Sequence, residues 1–159
     1  MTTIAAAPAV AKRTAPAALE TRPPSRLRIS DFMTTAPHSV GADQTLDTAH
    51  FLMRKHRIRH LPVLRAGELV GVVSHRDLLF VETMRDVDPA QVTVQEAMTQ
   101  GAFAVGPGAS LANVARKMAA QGYGCAVVIE DGDVVGIFTT TDSLRAVAAL
   151  ASDETPAVT

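Results

Sequence analysis

The sequence predicts an α+β fold made from two copies of one β-α-β-β-α unit, and two observations predict it: an internal repeat without a gap, and the same alternation of helix and strand signals in both copies. Displacing the chain by 65 positions lays Met33-Thr34 on Met98-Thr99, Val40-Gly41 on Val105-Gly106, Leu46 on Leu111 and Met53 on Met118. Val63 then falls on Val128, Gly67 on Gly132, Val70-Gly71 on Val135-Gly136, Asp77 on Asp142 and Leu79 on Leu144. These are 12 identities over 49 aligned positions, where chance gives about three. A unit of about 60 residues buries too little surface alone, so the copies are expected to pack sheet against sheet as one domain.

Each copy opens with a short helical turn, Ser30-Asp31-Phe32-Met33 in the first and 93–98 in the second, where Thr93 and Glu96 have capping-box spacing. A short strand follows near 38–40 and 103–105. Thr45 and Ser110 are then placed to cap a helix. Its apolar face in copy two is Leu111, Val114, Ala115 and Met118, at i, i+3, i+4, i+7; copy one offers the rougher set Leu46, Ala49, Leu52 and Met53. Two hairpins come next, 60–64 with 69–73 across Ala66-Gly67, and 125–129 with 134–138 across Asp131-Gly132. Asp-Gly is a strong type I′ signal and Ala-Gly a weaker one. A final helix begins after Ser74 and after Thr139.

The 159 residues are 47% hydrophobic and carry no Trp, so the core must come from aliphatic side chains and Met. A single cysteine, Cys125, excludes an internal disulfide and a multi-cysteine metal site, which suits a cytoplasmic location. No apolar run approaches the roughly 18 residues needed to span a bilayer, so no membrane partner is expected. The net charge of −1 gives nucleic-acid binding no help, and no P-loop, dinucleotide fingerprint or aromatic RNA-stacking pattern is present. Charge is uneven, however: 26–85 hold nine Lys/Arg against six Asp/Glu, whereas 86–150 hold three against seven. The expected organisation is a tail over 1–25, the repeats over 26–88 and 89–150, and a short polar end over 151–159. The first tail is rich in Ala, Pro and Thr and basic at Lys12, Arg13 and Arg22; its composition fits a disordered segment, and its scattered prolines disfavour the helix of a transit peptide.

The most informative motif is Gly-x-x-[Ser/Thr]-x-x-Asp at a strand-to-helix junction, from Gly71 through Ser74 to Asp77 and from Gly136 through Thr139 to Asp142. One meaning is structural, since Ser/Thr-x-x-Asp is close to a capping box. The other is functional: a hydroxyl, free backbone N–H groups and a carboxylate stand together at a sheet end, where ligands bind. An Asp can accept both hydroxyls of a ribose while the hydroxyl and helix N-terminus receive phosphate.

With Asp31-Phe32-Met33-Thr34, Glu96-Ala97-Met98-Thr99 and the run His56-Arg57-Ile58-Arg59-His60-Leu61-Pro62-Val63, the two motifs make residues 26–150 resemble a tandem pair of cystathionine-β-synthase-type (CBS) domains, often called a Bateman module. The resemblance implies pseudo-two-fold packing of the repeats, with two clefts between them that commonly bind AMP, ADP, ATP or S-adenosylmethionine. It implies that Ser74, Arg76 and Asp77, and Thr139, Thr141 and Asp142, meet phosphate and ribose. Ala36, Pro37 and His38, with Gly101, Ala102 and Phe103, would approach the base. Arg59, His60 and Leu61, with Tyr123, Gly124 and Cys125, would line the clefts. It also implies a homodimer formed through the final helices, which show Leu78, Leu79 and Val81, and Leu144, Val147, Ala148 and Leu150.

Copy two departs from the pattern. Pro62 becomes Val127, Arg57, Arg59 and His60 become Gly122, Gly124 and Cys125, and His75-Arg76 becomes Thr140-Thr141, so its cleft is expected to offer hydroxyls without positive charge. His56 and His60 have chelating spacing on one helix, but a helix-to-strand change falls between them, and no metal is expected. The basic run 54–60 suits either a solvated helix end or a phosphate contact. Cys125 is expected to be a small strand hydrophobe. With no nucleophile–base pair in view, the expected function is a non-enzymatic sensor that needs no cofactor, binds an adenine nucleotide and signals to a partner protein. An interaction or dimerisation module with degenerate clefts is the alternative.

Overall fold

Leu27 and Ile29 belong to the lead-in of copy one, yet the core in which they are buried is that of copy two. The computed structural model describes residues 26–84 and 86–151; the expectations for 1–25 and for the polar end after Ala151 lie outside the described residues. After a 3-10 turn over Ile29–Asp31 come β1 (Thr34–Thr35), β2 (Val40–Gly41), α1 (Leu46–His56), β3 (His60–Arg65), β4 (Glu68–Ser74) and α2 (His75–Glu82). Copy two repeats them as α3 (Val94–Ala97), β5 (Thr99–Gln100), β6 (Ala104–Val105), α4 (Leu111–Gln121), β7 (Cys125–Glu130), β8 (Asp133–Thr139) and α5 (Thr140–Ala151).

The local signals act as expected. Thr45 accepts from the Thr48 N–H and Ser110 from the Asn113 N–H, each capping its helix. Leu46, Ala49 and Met53 on α1, and Leu111, Val114 and Met118 on α4, are buried. Both hairpins turn with positive φ at both central residues, Ala66-Gly67 (50° and 84°) and Asp131-Gly132 (52° and 90°), the type I′ geometry. Arg57 closes α1 in the left-handed region, where the equivalent Gly122 closes α4.

The long-range arrangement is an exchange. One sheet has the order β2-β3-β4-β5 and the other β1-β8-β7-β6, so each lead-in strand leaves its own copy and adds to the edge of the other's hairpin. Thr34 and Thr35 pair antiparallel with Ile137 and Gly136; Thr99 and Gln100 pair with Val72 and Gly71. Backbone bonds lock the crossings, Ile29 N–H to Ala109 O at 2.9 Å and Val94 N–H to Gln44 O at 2.7 Å among them. Val94 accordingly joins Leu46, Met53, Leu61, Val63 and Leu78 in the first core, as Leu27 and Ile29 join Leu111, Met118, Val128 and Phe138 in the second. The result is an α+β pair of repeats related by pseudo-two-fold symmetry.

The final helices need a correction. Leu78 is wholly buried and Val81 packs partly against the first core, so neither is offered to a partner. On α2 and just beyond it the exposed apolar side chains are Leu79, Phe80 and Met84; on α5 they are Leu144, Val147 and Leu150.

Candidate functional site

The two strand-to-helix junctions are built alike. Asp77 Oδ2 accepts from the Ser74 N–H (2.8 Å) and hydroxyl (2.7 Å), and the Ser74 Oγ in turn accepts from the Asp77 N–H. Asp142 Oδ2 accepts from the Thr139 N–H (2.9 Å) and hydroxyl (2.8 Å) in the same way. The capping role is therefore filled in both copies. It occupies one carboxylate oxygen and leaves the other to be decided by the surroundings.

Around Asp77 the copies meet. His60, at the start of β3, lies against Gly124, just before β7; a Cβ on Gly124 would stand 2.5 Å from His60 Nε2, so a larger residue there would displace the imidazole. The Asp77 charge reaches both His60 and Cys125. Burial lowers the His60 pKa, Asp77 offsets part of that, and the nearby Arg59 and Arg76 lower it further. Burial first, and Asp77 second, push the Cys125 thiol up to about 12, which leaves it an inert core group. Arg59 and Arg76 are exposed and form no ion pair among the described residues. Asp77 thus sits half-buried near the His60 imidazole, on which the charges of Arg59 and Arg76 also act.

The lead-in segments bridge the sheets. The Ala36 N–H donates to Val135 O (3.1 Å) in copy two, while two residues later the His38 ring stacks on His56 of α1, with centroids 3.5 Å apart and an 18° tilt. Burial, then the charges of His56 and Lys55, lower the His38 pKa. In copy two the Val127 N–H holds the Phe103 carbonyl at 2.9 Å; Pro62, at the equivalent position, has no N–H to give His38. Phe103 packs instead against Tyr123, centroids 5.4 Å apart, with Lys117 Nζ 4.6 Å from its ring centroid.

The structure adds detail on Leu61, Cys125 and the charge of copy two. Leu61 is wholly buried in the first core, on the opposite face of β3 from His60. Cys125 is likewise buried. Copy two is not without positive charge: Arg145 Nη1 donates to Asp142 Oδ1 at 2.6 Å, and Lys117 covers Phe103. Both lie on helices outside the motif positions, so comparing the motifs residue by residue missed them; the Asp142–Arg145 spacing of three in a helix was the available signal. Pro37, Gly101, Ala102 and Tyr123 fall in connecting segments, and Arg76 and Thr141 in the first turns of α2 and α5.

His56 finds its partner in His38, not in His60. His50 Nε2 meets Glu82 Oε1 at 2.5 Å and ties α1 to α2, with His75 edge-on to it. Among the described residues no cluster of three or more His, Cys, Asp or Glu could hold a metal ion, and no helix is long and apolar enough to cross a membrane. A surface hollow of about 520 Å³ lies at the other end of the first sheet, lined by residues such as Asp43, Arg65 and Gln95, and includes none of the sequence-nominated residues.

Comparisons agree with this geometry. The family model described as CBS domain matches residues 29–82 and 94–149. A Vibrio cholerae protein named for acetoin utilization (AcuB) superposes with a TM-score of 0.71 at 30% identity, covering 82% of this chain and 98% of that one. The CBS domain pair of protein MJ0100, in complex with 5′-methylthioadenosine and S-adenosyl-L-methionine, gives 0.71 at 25% identity over 78% and 98%. CBSX2 in complex with AMP gives 0.68 at 27% identity over 77% and 97%. In sequence, an inosine-5′-monophosphate dehydrogenase of Korarchaeum cryptofilum is 32% identical over 118 residues, which are 72% of this chain but 23% of the enzyme.

Proposed function

The chain belongs to the CBS domain family as a tandem pair, and from that premise we propose that it is a regulatory, non-catalytic module that binds an adenosine-containing ligand and passes the information to a partner protein. The observation that carries this is the Ser74/Asp77 junction. It offers a carboxylate with one oxygen free of hydrogen bonds among the described residues, at a helix N-terminus, near His60, on which the Arg59 and Arg76 charges also act. A ribose diol donates to such a carboxylate, and guanidinium groups take phosphate through charge-assisted, paired hydrogen bonds. AMP, ADP and ATP carry both groups. The adenosine ligands of the MJ0100 and CBSX2 structures support the class. Ala36, Pro37 and His38 would border the base, and no cofactor is required.

Titration calorimetry with AMP and ATP at fixed salt tests this. Asp77→Ala is expected to weaken binding about tenfold or more, the worth of one charge-assisted hydrogen bond, while Asp142→Ala leaves it nearly unchanged. Loss on Asp142→Ala alone would move the working site to copy two. If AMP, ADP, ATP and S-adenosylmethionine all fail to raise the melting temperature, the clefts are not ligand sites and the interaction-module alternative stands.

Exposed Leu79 and Phe80 on α2 and Leu144 and Val147 on α5 make paired apolar faces, and a second copy is the proposed occupant. Light scattering at tens of micromolar is expected to give a dimer, and Leu144→Glu with Val147→Glu a monomer; a monomeric parent protein would refute it.

A further inference from the structure

The two junctions bind their capping donors identically, so the fate of the second carboxylate oxygen distinguishes them. Asp142 is 3% exposed, and its Oδ1 is taken by the Arg145 guanidinium at 2.6 Å. Asp77 Oδ1 has no hydrogen-bond partner among the described residues, and the residue 65 positions before Arg145 is Phe80, which cannot supply one. We infer that Arg145 is a built-in competitor that closes the Thr139/Asp142 junction to a ribose and so makes this pair a one-site sensor. The inference rests on the adenosine-binding role proposed above.

The chemistry is that of acceptor capacity. A diol needs carboxylate lone pairs to receive its two O–H groups. Asp142 already receives two donors at Oδ2 and a charge-assisted donor at Oδ1, and its burial leaves no open side from which a neutral hydroxyl could displace the cation. Arg145 lies one helical turn beyond Asp142, so its side chain reaches the carboxylate without bending the backbone. The Arg145 side chain is itself 47% exposed, so replacing it removes the competitor without opening a core.

Calorimetry with AMP on the full chain tests the assignment. The parent protein is expected to take up one AMP per chain, and Arg145→Ala or Arg145→Phe (the copy-one residue) two. Adding Asp142→Ala to either variant is expected to return the count to one, and a single cooperative thermal transition in each unliganded single variant shows that the fold is kept. A count that stays at one in both Arg145 variants, or a parent protein that already binds two, overturns the role of Arg145 alone. No AMP bound by parent or variants overturns the adenosine-binding proposal together with it.

Discussion

At the scale of residues, two half-buried imidazoles tie stability to pH. His38 and His60 have pKa values lowered from 6.5, mainly by burial, so the unfolded chain binds protons more readily than the folded one. Stability from their neutral forms is complete above the unfolded value near 6.5 and is lost as pH falls below it, until the folded groups also protonate. The melting temperature is therefore expected to drop between pH 7.5 and pH 5. The double variant His38→Gln/His60→Gln should flatten that drop, and an equally steep profile would show that other groups cause it. Some of this site was legible in the sequence and some was not. The hydroxyl–carboxylate spacing showed because capping is local; the stack of His38 on His56 and the burial of Leu61 depend on how strands are placed, which spacing does not encode.

At the scale of elements, the repeated identities Met33/Met98 and Gly71/Gly136 acquire a cause. Each methionine lies against the glycine of the other copy, beside the exchanged strand. The two glycines are not equally constrained. A Cβ at Gly71 would stand 2.5 Å from the Thr99 carbonyl oxygen, part of the backbone of β5, whereas at Gly136 it would meet the Met33 sulfur at 2.5 Å, a group that can swing aside. Gly71→Ala is thus expected to cost about 2–3 kcal/mol by overpacking and to loosen β5, and Gly136→Ala about 1 kcal/mol. Denaturant unfolding of the two variants measures the difference, and equal losses would contradict it. The hairpins and the helices α1, α2, α4 and α5 could be read from sequence because periodicity and turn chemistry are local. The exchange of β1 and β5 could not, since a two-residue strand has no period and its partner lies about 100 residues away for β1 and about 30 for β5.

At the scale of the whole molecule, each core is completed by the other copy's lead-in, so neither half is a folding unit. Separate chains covering 26–88 and 89–151 are each expected to show weak, non-cooperative unfolding, and their mixture to recover one cooperative transition near that of the intact protein. A half that melts cooperatively alone would show the crossings to be dispensable. The exchange also sets where an injury is felt. A protease that cuts just before Thr34 removes Leu27 and Ile29 from the core containing Phe138 and takes the Leu27 and Ile29 backbone partners from Leu111 and Ala109, while leaving the neighbouring His60–Ser74 hairpin with all its own strands. Damage at the beginning of the chain is thus delivered to its end.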